Sequence, residues 1–334
     1  MPDPSLSYAQ ERDVALHCTI AAARLCEAVR QDQASVAIHK PDHSPVTVAD
    51  YGAQALICRS LQAAFPHDPV MGEEDAQLLA SPELTECRNR VTEYVCAQLQ
   101  TPVETETVLD WIGHGRSGFG DRFWTLDPID GTKGYVRGDQ YAVALALIEQ
   151  GQLQVAAIVA PALPVDSAQP TGDRGVAFVA VRGQGAEAIA LGSGARRVLR
   201  VNGAAQRDRF RLIESVERDH GTPAWQQAVA TAIGLTVPAV QMDSLAKYGS
   251  IARGEADLYL RLPSGDSVLR WENIWDHGAG VLVLEEAGGT VTDQTGKPLD
   301  FSQGTKLLKN RGIVASNGVI HGAAIEAIRA LGID

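Results

Sequence analysis

Apolar residues recur at Val14, Cys18, Ala21, Leu25 and Val29, three or four positions apart, with Arg24 and Glu27 on other faces, and this spacing predicts an amphipathic helix over 14–29. Residues 40–46 are rich in proline and charge and read as an exposed loop. Thr47-Val48-Ala49-Asp50 opens a second helical pattern through Ala55, Leu56 and Leu61, and its Thr-x-x-Asp spacing matches a capping box. A short apolar run, Pro69-Val70-Met71-Gly72, leads directly into Glu73-Glu74-Asp75, which by itself reads as a solvated acidic turn. Residues 76–121 read as helix and then as a loop punctuated by Gly113, Gly115, Gly118 and Gly120.

The pattern then changes. Phe123-Trp124-Thr125-Leu126 reads as a buried strand ending in Asp127-Pro128-Ile129-Asp130-Gly131-Thr132-Lys133-Gly134. Tyr141 to Ile148 and Leu153 to Val159 flank Glu149-Gln150-Gly151-Gln152 and predict a β-hairpin, Val176 to Val181 predicts a further strand, and Gly183-Gln184-Gly185 a turn. Strands in succession imply an antiparallel sheet. Gly192-Ser193-Gly194 is the expected boundary between an α+β part, residues 1–192, and an α/β part, residues 195–334. Beyond it the expected elements alternate: strand 210–213, helix 223–233, strand 237–240, helix 244–252, strand 256–262, helix 274–287, strand 312–315 and a last helix from Val319.

Composition narrows the possible partners. The 334 residues, 45% hydrophobic, are enough for a large core in one or two domains. A formal charge of −12 disfavours long nucleic acid, whose binding needs basic surface, and restricts any anionic substrate to a small molecule held in a locally reversed field. The longest apolar runs fall short of a bilayer span, and Glu11, Arg12 and Asp13 sit where an export signal needs its apolar region. Five cysteines, odd in number and without a CxxC pair, imply reduced thiols and a cytoplasmic setting. Oligomeric state is left open.

Glu73, Asp127, Asp130 and Asp276 share one arrangement: each follows an apolar stretch at a turn or helix start. Taken alone, Asp127 to Asp130 fits a capped polar turn as well as a cation site, and Asp50 fits a cap. Together the carboxylates form a set of hard oxygen donors with no histidine or cysteine cluster, which suits Mg²⁺ better than Zn²⁺. Clustered Mg²⁺ serves phosphate monoesters, because it neutralises the phosphate oxygens, stabilises the leaving oxygen and acidifies water. Thr132 is placed to orient that water and Asp50 to accept its proton. His277, beside Asp276, reads as a satisfied structural histidine or a group behind the ligands.

Four segments, 44–51, 72–75, 127–134 and 275–280, resemble in order and content the lithium-sensitive, magnesium-dependent phosphatases that include inositol monophosphatase. The segments 137–141, 243–248 and 259–263 are more similar to the 3′(2′),5′-bisphosphate nucleotidases than to the inositol enzymes. The resemblance implies an α/β fold of layered αβαβα type. It implies that Glu73, Asp127, Asp130, Asp276 and the Ile129 carbonyl surround two or three Mg²⁺ ions, and that Asp50 and Thr132 activate the attacking water. Phosphate would contact the Gly131-Thr132 turn. Ser244, Lys247 and Arg261 would hold the nucleotide and its 5′-phosphate, with Glu217 and His220 near the sugar and scissile phosphate. Without the resemblance, Lys247 and Arg261 read as solvated surface charge.

The implied reaction is removal of the 3′-phosphate of adenosine 3′,5′-bisphosphate, with its 5′-phosphosulfate relative as a second substrate. Alternatives are an inositol phosphate or sugar bisphosphate phosphatase of the same superfamily, and a non-catalytic nucleotide sensor. The chain departs from the pattern at residues 263–272, a longer segment than expected, and at Gly278, where alanine is usual.

Overall fold

The computed structural model describes residues 7–32, 38–39, 45–203, 209–217, 222–263 and 271–333. Helix α1 (Ala9–Gln31) buries Ala15, Leu16, Cys18, Ala22, Leu25, Cys26 and Val29, so the predicted stripe is present but centred on Ala22 rather than Ala21. A two-residue ladder of β1 (Ile38–His39) and β2 (Pro45–Val46) precedes α2 (Val48–Ala64), whose capping box is formed by Thr47 and Asp50. After β3 (Val70–Gly72) come α3 (Ala76–Leu79), a 3₁₀ turn at Pro82–Leu84, α4 (Thr85–Leu99) and α5 (Thr105–His114). The central segment forms β4 (Arg122–Asp130) and a short helix α6 (Thr132–Arg137).

The strands β5 (Ala142–Glu149), β6 (Gln152–Pro164), β7 (Arg174–Val181), β8 (Gly185–Ala190) and β9 (Arg196–Val198) follow as a meander. Among the described residues they complete a seven-stranded sheet ordered β3-β4-β5-β6-β7-β8-β9, parallel only between β3 and β4. Gly192-Ser193-Gly194 lies between β8 and β9 of this sheet, and the chain leaves the sheet after Val198.

The second sheet combines β10 (Arg211–Glu214), β11 (Val237–Gln241), β12 (Leu258–Arg261), β13 (Thr290–Thr292) and β14 (Ile313–Ser316), with α7 (Pro223–Ala232), α8 (Ala246–Ala252), α9 (Gly278–Glu286) and α10 (His321–Ala330) around it. Its order is β11-β10-β12-β14-β13, with β10 parallel to both neighbours and β12, β14 and β13 antiparallel in turn. Helix α9 begins at Gly278, not at Ile274, because residues 275–277 form turns that present Asp276.

Burial alternation sorts these elements into layers. On β5, Val143, Leu145 and Leu147 join the core beneath α1 and α2, while Ala142, Ala144 and Ala146 face the core shared with α8 and α9. That second core also takes Ile213, Tyr259 and Ala315 from one face of the five-stranded sheet. The opposite face supplies Leu212, Leu258, Leu260 and Val314 to a third core with α7 and α10. The result is the expected αβαβα sandwich. Alanines along the middle core let α9 pack close to the first sheet, so the ends of β4, α8 and α9 meet at one edge.

Cys18, Cys26 and Cys58 are buried, Cys87 and Cys96 half-buried, and all five are free thiols. Burial pushes the Cys18 thiol up to about 12, which marks it as core filler rather than a nucleophile. Among the described residues, no helix is long and apolar enough to cross a membrane.

Candidate active site

Strand pairing sets the first two carboxylates side by side. In the parallel register of β3 and β4, Gly72 sits opposite Leu126, and the Glu73 amide donates to the Leu126 carbonyl at 3.2 Å, so Glu73 emerges beside Asp127. Buried Gln54 of α2 fixes this corner, donating to the carbonyls of Glu74 (2.8 Å) and Ile112 (2.9 Å) and accepting from the Glu74 amide (3.0 Å). A Cβ on Gly72 or Gly115 would stand 2.6 or 2.4 Å from the Gln54 amide group, so a side chain at either position would push that amide from its place. No periodic signal in the sequence marked Gln54.

Pro128 has no amide to offer the ladder, and the register shifts there: Asp127 pairs with Ala144 but Asp130 with Ala142. In an unbroken strand, residues three apart point to opposite faces. The extra residue of the bulge turns Asp127 and Asp130 towards the same side. Gly131 then takes φ 85° and starts α6 with Thr132.

Asp50 makes different contacts through its two oxygens. Its Oδ2 accepts from the Thr47 amide and hydroxyl, both at 2.7 Å, and so closes the helix cap. Its Oδ1 faces the Thr132 hydroxyl at 3.4 Å, and that hydroxyl also donates to the Ile129 carbonyl at 3.0 Å. The cap is formed, and it fixes the carboxylate with its other oxygen turned towards Thr132.

The carboxylates sense one another. Burial, followed by the charges of Glu73, Asp130, Asp276 and Asp50, pushes Asp127 well above the ordinary carboxylate range. Burial, with Asp130, Glu73 and Glu272 nearby, raises Asp276 to about 8 against the pull of Arg261. Asp130 rises to about 6, again through burial, moderated by Lys247, the Leu245 amide and Arg261. Asp127 Oδ1 is buried with no hydrogen-bond partner among the described residues. An orphaned buried oxygen amid like charges calls for a cation, and an all-oxygen donor set fits a hard one.

Opposite charge arrives from the second sheet. Ser244 adopts φ 70°, which directs the Leu245 amide onto Asp130 and delays the start of α8 to Ala246. A Cβ on Gly131 would be 3.3 Å from the Ser244 Cβ, so these two turns abut. Lys247 is buried, 4% exposed, with its ammonium 5.1 Å from the centre of the Tyr259 ring, and burial lowers it to about 8. From β12, the Arg261 guanidinium reaches Glu272 at 2.8 Å and stands 4.0 Å from Asp276. Solvated surface charge is thus ruled out for both cations.

Donor atoms of Glu272, Asp276 and His277 lie within 4.8 Å of one another. Glu272 is committed to Arg261, and His277 is shared between Tyr248 at 2.8 Å on Nδ1 and Glu272 at 3.4 Å on Nε2. Glu272 and His277 thus belong to an ion-pair lattice with Arg261 and Tyr248 beside Asp276, and His277 is a satisfied histidine, as the sequence suggested.

A model of the inositol monophosphatase family matches residues 7–332. A relative from Schizosaccharomyces pombe, named 3′(2′),5′-bisphosphate nucleotidase, is 40% identical over 345 residues, covering 98% of this chain and 97% of its own length. One of the same name from Emericella nidulans is 40% identical over 350 residues, covering 97% and 99%. The chain belongs to the inositol monophosphatase family. The fold agrees: the inositol monophosphatase of Anabaena superposes with TM-score 0.62 at 21% identity, covering 96% of each chain, and that of Thermotoga maritima with 0.65 at 20%, covering 97% of this chain and 100% of its own.

Within this member of the family, Glu217 is partly exposed and pairs with Arg137 and, at 3.4 Å, with Lys133. Arg137 also binds Asp139 at 2.9 Å and Asp243, whose other oxygen accepts from the Val216 amide at 3.2 Å. This cluster ties α6 to the segments that follow β10 and β11 and was not anticipated as a unit. His220 and Ser44 lie outside the described residues.

Proposed function

We propose that this phosphatase of the inositol monophosphatase family removes the 3′-phosphate from adenosine 3′,5′-bisphosphate, giving AMP and phosphate, with the 5′-phosphosulfate analogue as a second substrate. One observation carries the reading. Asp130, at the end of β4, feels the attraction of the buried Lys247 of α8 and Arg261 of β12 and the repulsion of Glu73. A substrate with two phosphates uses both halves: one phosphate at a cation-loaded carboxylate cluster, the other at Lys247 and Arg261. The names of the fungal relatives agree with this choice.

Glu73, Asp127, Asp130, Asp276 and the Ile129 carbonyl would hold Mg²⁺, which supplies charge neutralisation for the phosphate and its leaving oxygen and lowers the pKa of water. The chain's own residues then do the positioning. Thr132, oriented by the Ile129 carbonyl, directs a water in line with the scissile bond, and Asp50 Oδ1 receives its proton through that hydroxyl. Backbone at Gly131 and Thr132 receives the 3′-phosphate. Ser244, Lys247 and Arg261 would seat the nucleotide and its 5′-phosphate, with Glu217 near the sugar and scissile phosphate.

The deciding experiment offers purified protein adenosine 3′,5′-bisphosphate, its phosphosulfate, inositol monophosphate and fructose 1,6-bisphosphate, with Mg²⁺, with added Li⁺ and with chelator. Release of phosphate from the nucleotides, dependent on Mg²⁺ and suppressed by Li⁺, is expected. Preferential turnover of inositol monophosphate or the sugar would move the chain to another branch. Tight nucleotide binding without release would make it a sensor.

A further inference from the structure

Arg261 stands between two carboxylates with different duties. Its Nη2 is 2.8 Å from Glu272 Oε2 and 4.0 Å from Asp276 Oδ2, and all three side chains are at least four-fifths buried. Its Nε is buried and has no hydrogen-bond partner among the described residues, so the guanidinium is only partly engaged. Glu272 is braced from behind by His277 Nε2 at 3.4 Å, and His277 by the Tyr248 hydroxyl at 2.8 Å. Arg261 comes from β12, Tyr248 from α8, and Glu272 and His277 from the segment leading into α9. The brace therefore crosses the middle layer.

We infer that Glu272 is a positioning residue that holds Arg261 away from Asp276, keeping the arginine available to the nucleotide and the aspartate available to the cation. The inference rests on the proposed roles of Arg261 and Asp276. A guanidinium this close to a second buried carboxylate pairs with it once its first partner is lost, since an unpaired buried charge is strongly disfavoured. In the absence of Glu272, Arg261 takes the place of the cation at Asp276. The His277 and Tyr248 brace sets the direction of the Glu272 carboxylate, which is why charge alone does not replace its reach.

The test is a double-mutant cycle read as Mg²⁺ binding by calorimetry without substrate. Glu272→Gln weakens binding by about tenfold or more, Arg261→Met changes it by less than about threefold, and the double variant returns to within about threefold of wild type. Glu272→Asp, which keeps the charge but loses the reach, also weakens binding. Additive effects, or an unchanged affinity in Glu272→Asp, would assign the effect to bulk charge and overturn the inference. Asp276→Asn separates the two levels: if it leaves Mg²⁺ binding unchanged, the metal role of Asp276 fails first and the inference falls with it.

Discussion

The two sides of the cleft are opposites built by the same means. On the acidic side, burial and mutual repulsion raise Asp130, at the end of β4, to about 6 and Asp276, in the turn before α9, to about 8. On the second-sheet side, burial lowers Lys247 to about 8. Each side is moved towards neutrality because its charge lacks a sufficient partner, and each is relieved by a ligand of opposite sign, a cation on one side and a phosphate on the other. The contrast also shows two kinds of construction. The acidic side is held by backbone devices, the β4 bulge and the α2 cap, whereas the basic side is held by side-chain packing, Lys247 on Tyr259 and Arg261 on Glu272.

Breaking the acidic side should have the largest effect. Asp127→Asn removes a proposed ligand from a strongly repelled position and is expected to lower kcat/KM by about a thousandfold or more, since cation stabilisation of the transition state is worth several kcal/mol. The same change removes a buried like charge, so the metal-free protein should melt at a higher temperature than wild type. Loss of activity with a lowered melting temperature would show that Asp127 is structural. Breaking the basic side comes next. Lys247→Met keeps the packing on Tyr259 and should lower kcat/KM for adenosine 3′,5′-bisphosphate about a hundredfold, the worth of a buried charge-assisted bond, while adenosine 3′-monophosphate is affected only slightly. Equal losses on both substrates would place Lys247 outside the 5′-phosphate site.

Acidity should move the two sides in opposite directions. Cation uptake requires Asp130 and Asp276 to lose protons, so Mg²⁺ affinity rises as pH climbs from about 6 to about 8. Nucleotide binding to the basic side favours protonated Lys247, so affinity for adenosine 5′-monophosphate falls as pH passes about 8, by at most about tenfold per unit for one proton. Stability of the chelated protein follows the same signs. The raised carboxylates contribute stability that is complete below the ordinary carboxylate range and lost as pH rises through about 6 and about 8. The lowered lysine contributes stability above its ordinary value that is lost as pH falls through about 8. Calorimetric titrations from pH 5.5 to 9.5 check both; parallel trends would mean that the halves are not independent.

The same difference in construction decides what was legible in the sequence. The acidic side depends on local rules, a Thr-x-x-Asp cap, a proline in a strand end and a glycine turn, and these can be read from spacing alone. The hairpin of β5 and β6 and the helix α1 were legible for the same reason: their periodicities are short-range. The basic side depends on long-range packing. Lys247 and Arg261 read as surface charge until β12 and α8 are brought against the first sheet, and Glu272 has no signal before Arg261 is beside it. Short edge strands such as β9 and β13, three residues each, carry too little pattern to declare themselves and exist through their neighbours.

The smallest expected effect tests the seam between the two sides, at Ser244. This residue holds φ 70°, a conformation that costs a non-glycine residue of order 1 kcal/mol, and its Oγ accepts from the Ala246 amide at 3.2 Å. Both Ser244→Gly and Ser244→Ala lose that hydrogen bond and the proposed contact to the nucleotide, so both should raise KM for adenosine 3′,5′-bisphosphate by a similar factor. They differ only in backbone cost. Glycine adopts the left-handed conformation freely and alanine does not, so the glycine variant should exceed the alanine variant in stability by about 1 kcal/mol in denaturant unfolding. Should alanine match glycine in stability while kcat falls, the turn has relaxed out of its positive φ and released the Leu245 amide from Asp130; the contact between the two sides would then depend on the strain itself.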